Sequence, residues 1–198
     1  AKKENEIIII ASDENKLNQT KKELEEKGAK VKSIVADLSN EENCKEIYKK
    51  VPDIDILINN AGFGDCGNFT KTSLEKELNM IKTNIIAYHI LTKLYLTDMK
   101  AKNQGKILNV ASIAGFMPGP LMATYYATKN YVVKLSEAIR EELKKEKSNV
   151  QISTLCPGPV ETNFNKIANV KFNLREANSM KVAQYVIKQF EKGKLYII

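Results

Sequence analysis

A single histidine, His89, and three cysteines at unrelated spacings (Cys44, Cys66 and Cys156) leave this chain with little of the chemistry that binds metals or staples small folds. An odd number of scattered cysteines excludes a disulfide framework, supplies no zinc ligand set and fits a reducing, cytoplasmic setting. No metal site is expected. His89 lies among apolar residues at helical spacing and reads as structural. Long apolar runs are missing as well. The opening AKKENEIIII holds too short a run, and no cleavage region, for a secretory signal. Leu78 to Leu96, the most apolar long stretch, is broken by Lys82, Asn84, His89 and Lys93, so no membrane span is expected. Repeats, linkers and low-complexity tracts are absent too.

What remains is the composition of a soluble globular chain. The 198 residues suit one domain with a real core, and 43% hydrophobic with 28% charged residues argues against disorder. A net charge of +7 raises the question of nucleic acid. The lysines, however, are spread along the chain and mixed with glutamate, as in KKELEEKGAK and EELKKEKSN. That is how solvated helix faces look, so no nucleic-acid role is expected.

Apolar β-branched runs alternate with helical patterns. EIIIIA at residues 6–11 reads as a strand buried on both faces. Ser12 or Asp13 caps a helix over 14–27 that stops at Gly28. AKVKSIVA forms a second strand ending at Asp37, and Ser39-Asn40-Glu41-Glu42 opens a helix as a capping box. DILIN leads into Asn59-Asn60-Ala61-Gly62. Thr72-Ser73-Leu74-Glu75 caps a long helix to about 100, and GKILNVAS is the strand ending at Ser112. A helix through Tyr125 runs to about Lys145, followed by the strand NVQISTLCPG, a helix over 179–192 and a last strand, KLYII. Alternation of this kind predicts an α/β fold, a doubly wound, Rossmann-like parallel sheet in three α/β/α layers.

The chemistry concentrates in SIAGFMPGPLMATYYATK, residues 112–129. Tyr125 and Lys129, four apart on a helix, share a face. In isolation such a pair is a surface feature of many helices. Here a serine ends the preceding strand thirteen residues before the tyrosine. A free phenol titrates near pH ~10. A lysine ammonium beside it favours the phenolate and is expected to pull that value towards neutrality. Ser112 is placed to hydrogen-bond a substrate oxygen while Tyr125 moves the proton. This equips the chain to interconvert an alcohol and a carbonyl if another group carries the hydride.

Gly62-Phe63-Gly64-Asp65-Cys66-Gly67 is a literal G-x-G-x-x-G after a strand, but no helix is expected to open on its third glycine and no acid ends the next strand. It is not read as the dinucleotide fingerprint. Taken with Ser112, Tyr125 and Lys129, the chain instead resembles the short-chain dehydrogenase/reductase family over nearly its whole length. That resemblance implies an NAD(P)-dependent oxidoreductase. It makes Tyr125 the acid/base, Lys129 its partner and a ligand of the nicotinamide ribose, and Ser112 the residue that orients substrate. Asn84 becomes the helix asparagine that holds a water between the lysine and solvent. It also implies that Asn60, Ala61 and Gly62 pass close to the adenosine ribose, and that Asp37 and Leu38 meet adenine. Pro157, Gly158, Val160 and Thr162 would clasp the nicotinamide carboxamide.

Ser12 stands where related proteins often carry an arginine for NADP or an acid for NAD, and is nearly neutral between them. ASIAGFMPGP and CPGPVETNF resemble NADP-using members somewhat more. The family's first strand and its Thr-Gly-x-x-x-Gly-x-Gly loop have no counterpart here, so the 198 residues are expected to belong to a longer protein. Residues 1–10 resemble the tail of the family's first helix followed by its second strand. The strands on either side of the missing one would then expose unpaired backbone.

Two other classes share features of this reading, a catalytically silent nucleotide-binding regulator of the same fold and a sugar-nucleotide epimerase. Intact Ser112, Tyr125 and Lys129 argue against the first. The Asn-Asn-Ala-Gly element and the lack of a C-terminal sugar-nucleotide domain argue against the second. Phe116, Met117, Leu121, Met122 and Phe164 suggest an apolar pocket for a small-molecule carbonyl or alcohol. The helix from Thr72 carries apolar residues over more than half its circumference, and Tyr126, Tyr131 and Val133 add outward apolar surface to the next helix. A homodimer or homotetramer built on residues 78–100 and 126–145 is expected, with the fold forming one NAD(P)-binding domain over 1–198.

Overall fold

Isoleucine- and valine-rich strands alternate with helices in the computed structural model, which describes residues 5–170 and 176–198. Strand β1 (Glu6–Ala11) and helix α1 (Glu14–Glu26) come first. Asp13 accepts from the Lys16 amide at 3.0 Å to cap α1, and Gly28, at φ +83°, takes the left-handed turn that ends it. The helix tail expected at residues 1–4 lies outside the described residues.

β2 (Lys30–Val35) leads to α2 (Glu41–Lys50), whose cap is Asn40 rather than Ser39. The Asp37 carboxylate takes the Ser39 amide at 2.9 Å, which shifts the helix start by one residue. β3 (Ile56–Asn59) precedes α3 (Leu74–Ile81), capped by Ser73. The single long helix expected from Thr72 is interrupted. A π turn over Lys82–Ile86 separates α3 from α4 (Ala87–Lys102). β4 (Lys106–Val110), α5 (Ala123–Lys145), β5 (Gln151–Leu155), a short α6 (Phe164–Ile167), α7 (Ser179–Glu191) and β6 (Tyr196–Ile197) complete the order.

Every strand pairing is parallel, in the order β3-β4-β5-β6 for one piece of the sheet and β1-β2 for the other. β1 and β3 are not hydrogen-bonded to each other, and Ile56 and Ile58 on β3 are half exposed. Away from that open face of β3, the larger piece is covered on both sides, as parallel sheets require. Leu57, Ile107 and Ile152 face α2, α4 and α5, packing with Ile47, Leu91, Tyr95, Met99 and Leu143. Leu108 and Ile197 face α7 through Val186 and Phe190. Val133, expected to point outward, is buried beside Val132 against Tyr88 and Ala111. The loop after Ser112 covers this side of α5, where a Cβ on Gly115 would lie 2.7 Å from the Val133 side chain.

A polar row crosses this apolar face. Asn59 and Asn109 are register partners on β3 and β4, and Thr154 extends the row on β5. The Asn59 carboxamide donates to Asn109 Oδ1 at 2.8 Å and to Thr92 Oγ1 at 3.0 Å, while Asn109 donates to Ser136 Oγ at 3.0 Å. All five side chains are buried. Buried polar groups stabilise only when partnered, and orphaning one costs about 1–3 kcal/mol. Asn109→Ala, which strips Asn59 of one acceptor, is therefore expected to cost about 2 kcal/mol in urea unfolding. Asn15→Ala on the exposed side of α1 should stay within about 0.5 kcal/mol.

Candidate active site

The loops leaving the C-terminal ends of β3, β4 and β5 meet the first turns of α5. Ser112 follows β4 in extended backbone and accepts the Ala114 amide at 3.2 Å, which opens a short 3-10 turn over Ile113–Phe116. That turn is pinned to α5. Asn130 donates to the Gly115 carbonyl at 2.8 Å, and a side chain at Gly115 would meet the Lys129 backbone at 2.8 Å. From β5, the Pro157 carbonyl takes the Ile113 amide at 3.1 Å. The arrangement brings Ser112, Tyr125, Lys129 and Pro157 together.

Tyr125 and Lys129 are both buried, at 8% and 4% exposure. The Lys129 ammonium donates to the Val110 carbonyl at 2.9 Å, and the Tyr125 ring centroid is 5.9 Å from it. Burial pushes the Tyr125 phenol up to about 12, against a hydrogen bond with Ser112 that lowers it. Burial likewise pushes Lys129 down to about 8, with the Cys156 thiol opposing. The expected fall of the tyrosine towards neutrality is thus not what this state shows. Desolvation is the largest influence on the phenol, and the lysine's cation is directed at the Val110 carbonyl.

Asn84 sits in the π turn, fully buried, and clamps the loop after β3. It donates to the Phe63 carbonyl at 2.9 Å and to Thr128 Oγ1 at 3.1 Å, and accepts the Phe63 amide at 3.1 Å. Gly62 is small for a local reason: a Cβ there would lie 3.0 Å from Asn84 Oδ1 and 3.4 Å from Lys129 Nζ. No helix opens at Gly67, since α3 begins at Leu74, so the G-x-G-x-x-G run is not a helix-capping phosphate loop. Asn60 and Gly62 are exposed, and Ala61 is half-buried. Ser12 and Asp37, both exposed, and Leu38, half-buried, follow β1 and β2 in the other piece of the sheet, apart from the Tyr125 cluster.

The Pro157–Thr162 loop reaches the cluster through α6. Val160 bridges to Ala177, Gly158 is exposed, and the Thr162 hydroxyl accepts the Phe164 amide at 3.2 Å. Phe164 then packs on Tyr125, ring centroids 5.2 Å apart. Met80, Ala114, Met122 and Ala168 are buried around Tyr125, with Phe63, Cys66 and Val170 beside them. Of the expected wall residues, Met122 and Phe164 join this cluster. Phe116 instead stacks edge-on with Tyr196, and Met117 and Leu121 are exposed. Sequence reasoning did not find Thr128, Tyr88, the Val110 carbonyl or Gly64.

Comparison with known proteins gives the family and the fold. The profile described as short chain dehydrogenase matches residues 1–171, and the chain belongs to that family. It is 32% identical over 185 residues to an uncharacterized oxidoreductase, YvaG, of Bacillus subtilis, covering 88% of this chain and 69% of that protein. The ketoacyl reductase HetN of Nostoc is 32% identical over 164 residues, 81% of this chain and 56% of HetN. The chain spans between 52% and 59% of several further curated relatives. Among solved structures, a short-chain dehydrogenase from Sphingobium yanoikuyae in complex with NADPH superposes with a TM-score of 0.90 at 24% identity. The match covers 98% of this chain and 78% of that one, and shows the Rossmann-like fold.

Gly64 is a second tight point of the site, in addition to Gly115. A Cβ there would lie 2.8 Å from the tip of the Phe164 ring and 3.2 Å from the Tyr125 ring. Gly64→Ala is expected to destabilise by about 1–3 kcal/mol through overpacking. In a Phe164→Ala background the same change should cost clearly less, a coupling that a double-mutant cycle in urea measures.

Proposed function

We propose that this chain carries the catalytic centre of an NAD(P)-dependent enzyme that interconverts a fairly apolar ketone and the corresponding alcohol. The observation that carries the reading is the pair Tyr125 and Lys129, buried one helical turn apart with Ser112 at the tyrosine's hydroxyl. The family membership and the solved neighbours recorded with NADPH and with NAD support the cofactor class. The chain's own residues fit such a cofactor at the cradle formed by Gly62, where a side chain would collide with Asn84 and crowd Lys129. Once bound, the dinucleotide supplies hydride for reduction or accepts it in oxidation.

Each residue then has a role. Tyr125 Oη gives its proton to the carbonyl oxygen as the alcohol forms, and takes it back in the reverse direction. Ser112 Oγ donates a hydrogen bond to that oxygen. The Lys129 cation lowers the cost of the phenolate left behind and also binds the nicotinamide ribose. Asn84 supports proton return through a held water. Asn60, Ala61 and Gly62 border the adenosine ribose, with Ser12, Asp37 and Leu38 at its adenine end, and Pro157, Gly158, Val160 and Thr162 grip the carboxamide. Met122 and Phe164 give the substrate side its apolar character. We read residues 1–198 as one cofactor-binding domain working in the cytoplasm, in keeping with three free cysteines. Among the described residues no helix is long and apolar enough to cross a membrane.

A phenol held near 12 is protonated at neutral pH, the form needed to donate a proton, so ketone reduction should run at neutral pH while alcohol oxidation rises as pH increases. In the full-length protein, Tyr125→Phe is expected to lower kcat by at least about a thousandfold with cofactor affinity nearly intact. Lys129→Met should harm both. Substantial residual turnover in Tyr125→Phe removes the acid/base assignment. The same assay with each cofactor should give a higher kcat/KM with NADPH than with NADH.

A homodimer, or a dimer of dimers, built on residues 78–100, mostly α4, and on 126–145 of α5 completes the proposal. Leu78 is exposed, and Ile81, Ile85, Ile86, Ile90, Leu94 and Leu96 stay partly open to solvent. A groove of about 300 Å³ runs between the two helices, lined by Leu96, Ile139 and Leu143 with Lys93, Lys100 and Glu142. Such a face suits a two-fold isologous contact, where each Lys can meet the partner's acid. Light scattering of the full-length protein at micromolar concentration should report a dimer or tetramer; a stable monomer refutes it.

A further inference from the structure

A buried ammonium is costly unless something replaces its water. Lys129 has 4% exposure, and no carboxylate among the described residues forms an ion pair with it. The groups around the cation are few. From its own helix comes the Tyr125 ring, from the loop after β5 the Cys156 thiol, from β4 the Val110 carbonyl, and from α4 the ring of Tyr88. The Tyr88 centroid lies 5.6 Å from Lys129 Nζ, nearer than that of Tyr125. Its hydroxyl donates at 3.2 Å to the same Val110 oxygen that accepts Lys129 at 2.9 Å. A carbonyl has two lone pairs, so one oxygen can serve both donors.

Tyr88 itself is 2% exposed and packs with Ala111, Val132, Val133 and Cys156. Filling that apolar space requires only a ring. The ring's face, however, is also an electrostatic partner for a cation within about 6 Å. We propose that Tyr88 is a positioning residue for Lys129: its ring face holds the ammonium charged inside the fold, and its hydroxyl fixes the carbonyl on which that ammonium is anchored. The inference rests on the catalytic reading of Lys129 only for its consequence in turnover, not for the contact itself.

The direction of the effect follows. Burial already lowers Lys129 to about 8, so a weaker ring face lowers it further and neutralises the lysine at a lower pH. The test replaces Tyr88 in the full-length protein by phenylalanine carrying no, two or three ring fluorines. Fluorination drains the ring face of negative charge and nearly preserves shape, so the variants should keep the fold. The Lys129 ¹³Cε resonance, assigned by its loss in Lys129→Met, is titrated in each. The pKa is expected to fall stepwise along the series, by about half a unit to one unit in all. The alkaline limb of kcat should move to lower pH by a matching amount. A Lys129 pKa that is constant along the series overturns the proposal, as does one that rises. If the resonance follows fluorination while Lys129→Met leaves turnover unchanged, Tyr88 still positions the lysine and the catalytic reading is what fails.

Discussion

One buried hydrogen bond, from the Asn59 carboxamide on β3 to that of Asn109 on β4, fixes the frame in which everything else sits. Parallel strands can slip, and a slip of one residue turns every side chain to the opposite face. A carboxamide pair in an apolar layer forbids this, because any other register leaves amide groups unpaired among Leu57, Ile107 and Ile152. With β3 and β4 locked, their loops leave the sheet at one level. The Asn60–Gly67 loop, Ser112 and, from β5, Pro157 then converge over the start of α5. Thr92 and Ser136 carry the same constraint into α4 and α5, so the helices that bear Tyr88, Tyr125 and Lys129 are indexed to the strands by polar contacts as well as packing.

Electrostatics at the site is governed by burial more than by pairing. Tyr125 is held as a neutral phenol and Lys129 near 8, both by loss of water. The two shifts run in opposite directions on the pH scale, yet both disfavour the charged form. A site of this kind gains its bias for proton donation from the fold itself. Charge at Lys129 survives through close, oriented neighbours, the Val110 carbonyl first among them.

Much of this was legible in the residues. β-branched runs bounded by caps gave the α/β order, and Tyr125, Lys129 and Ser112 were found by spacing and by the strand before them. Asn84 was named only through the family resemblance, and its position beside Phe63 and Thr128 is tertiary information that no spacing contains. The Val110 carbonyl was invisible because a backbone group has no residue signature. Tyr88 was counted only as one apolar residue of a crowded helix. Phe116 failed as a pocket residue because a 3-10 turn re-aims it towards Tyr196, and Val133 failed as a surface residue because the Ser112 loop covers that side of α5. The shift from Ser39 to Asn40 at the cap of α2 goes with Asp37, whose carboxylate holds the Ser39 amide in a turn of its own while Asn40 takes the Glu42 amide.

The π turn at Lys82–Ile86 adds its own geometric consequence. A π turn holds one residue more than regular winding needs, and each residue of an α-helix advances about 100° around the axis. The segments on either side are therefore out of phase. Met80 on α3 is aimed at the Tyr125 cluster, while Leu91, Thr92, Tyr95 and Met99 on α4 are aimed at the sheet. One continuous regular helix cannot serve both directions with this sequence. Removing a single residue from the turn would leave every hydrophobic side chain in place on its own helix and rotate α4 by about 100° against α3, swinging its sheet-facing stripe off the strands and a flank onto them.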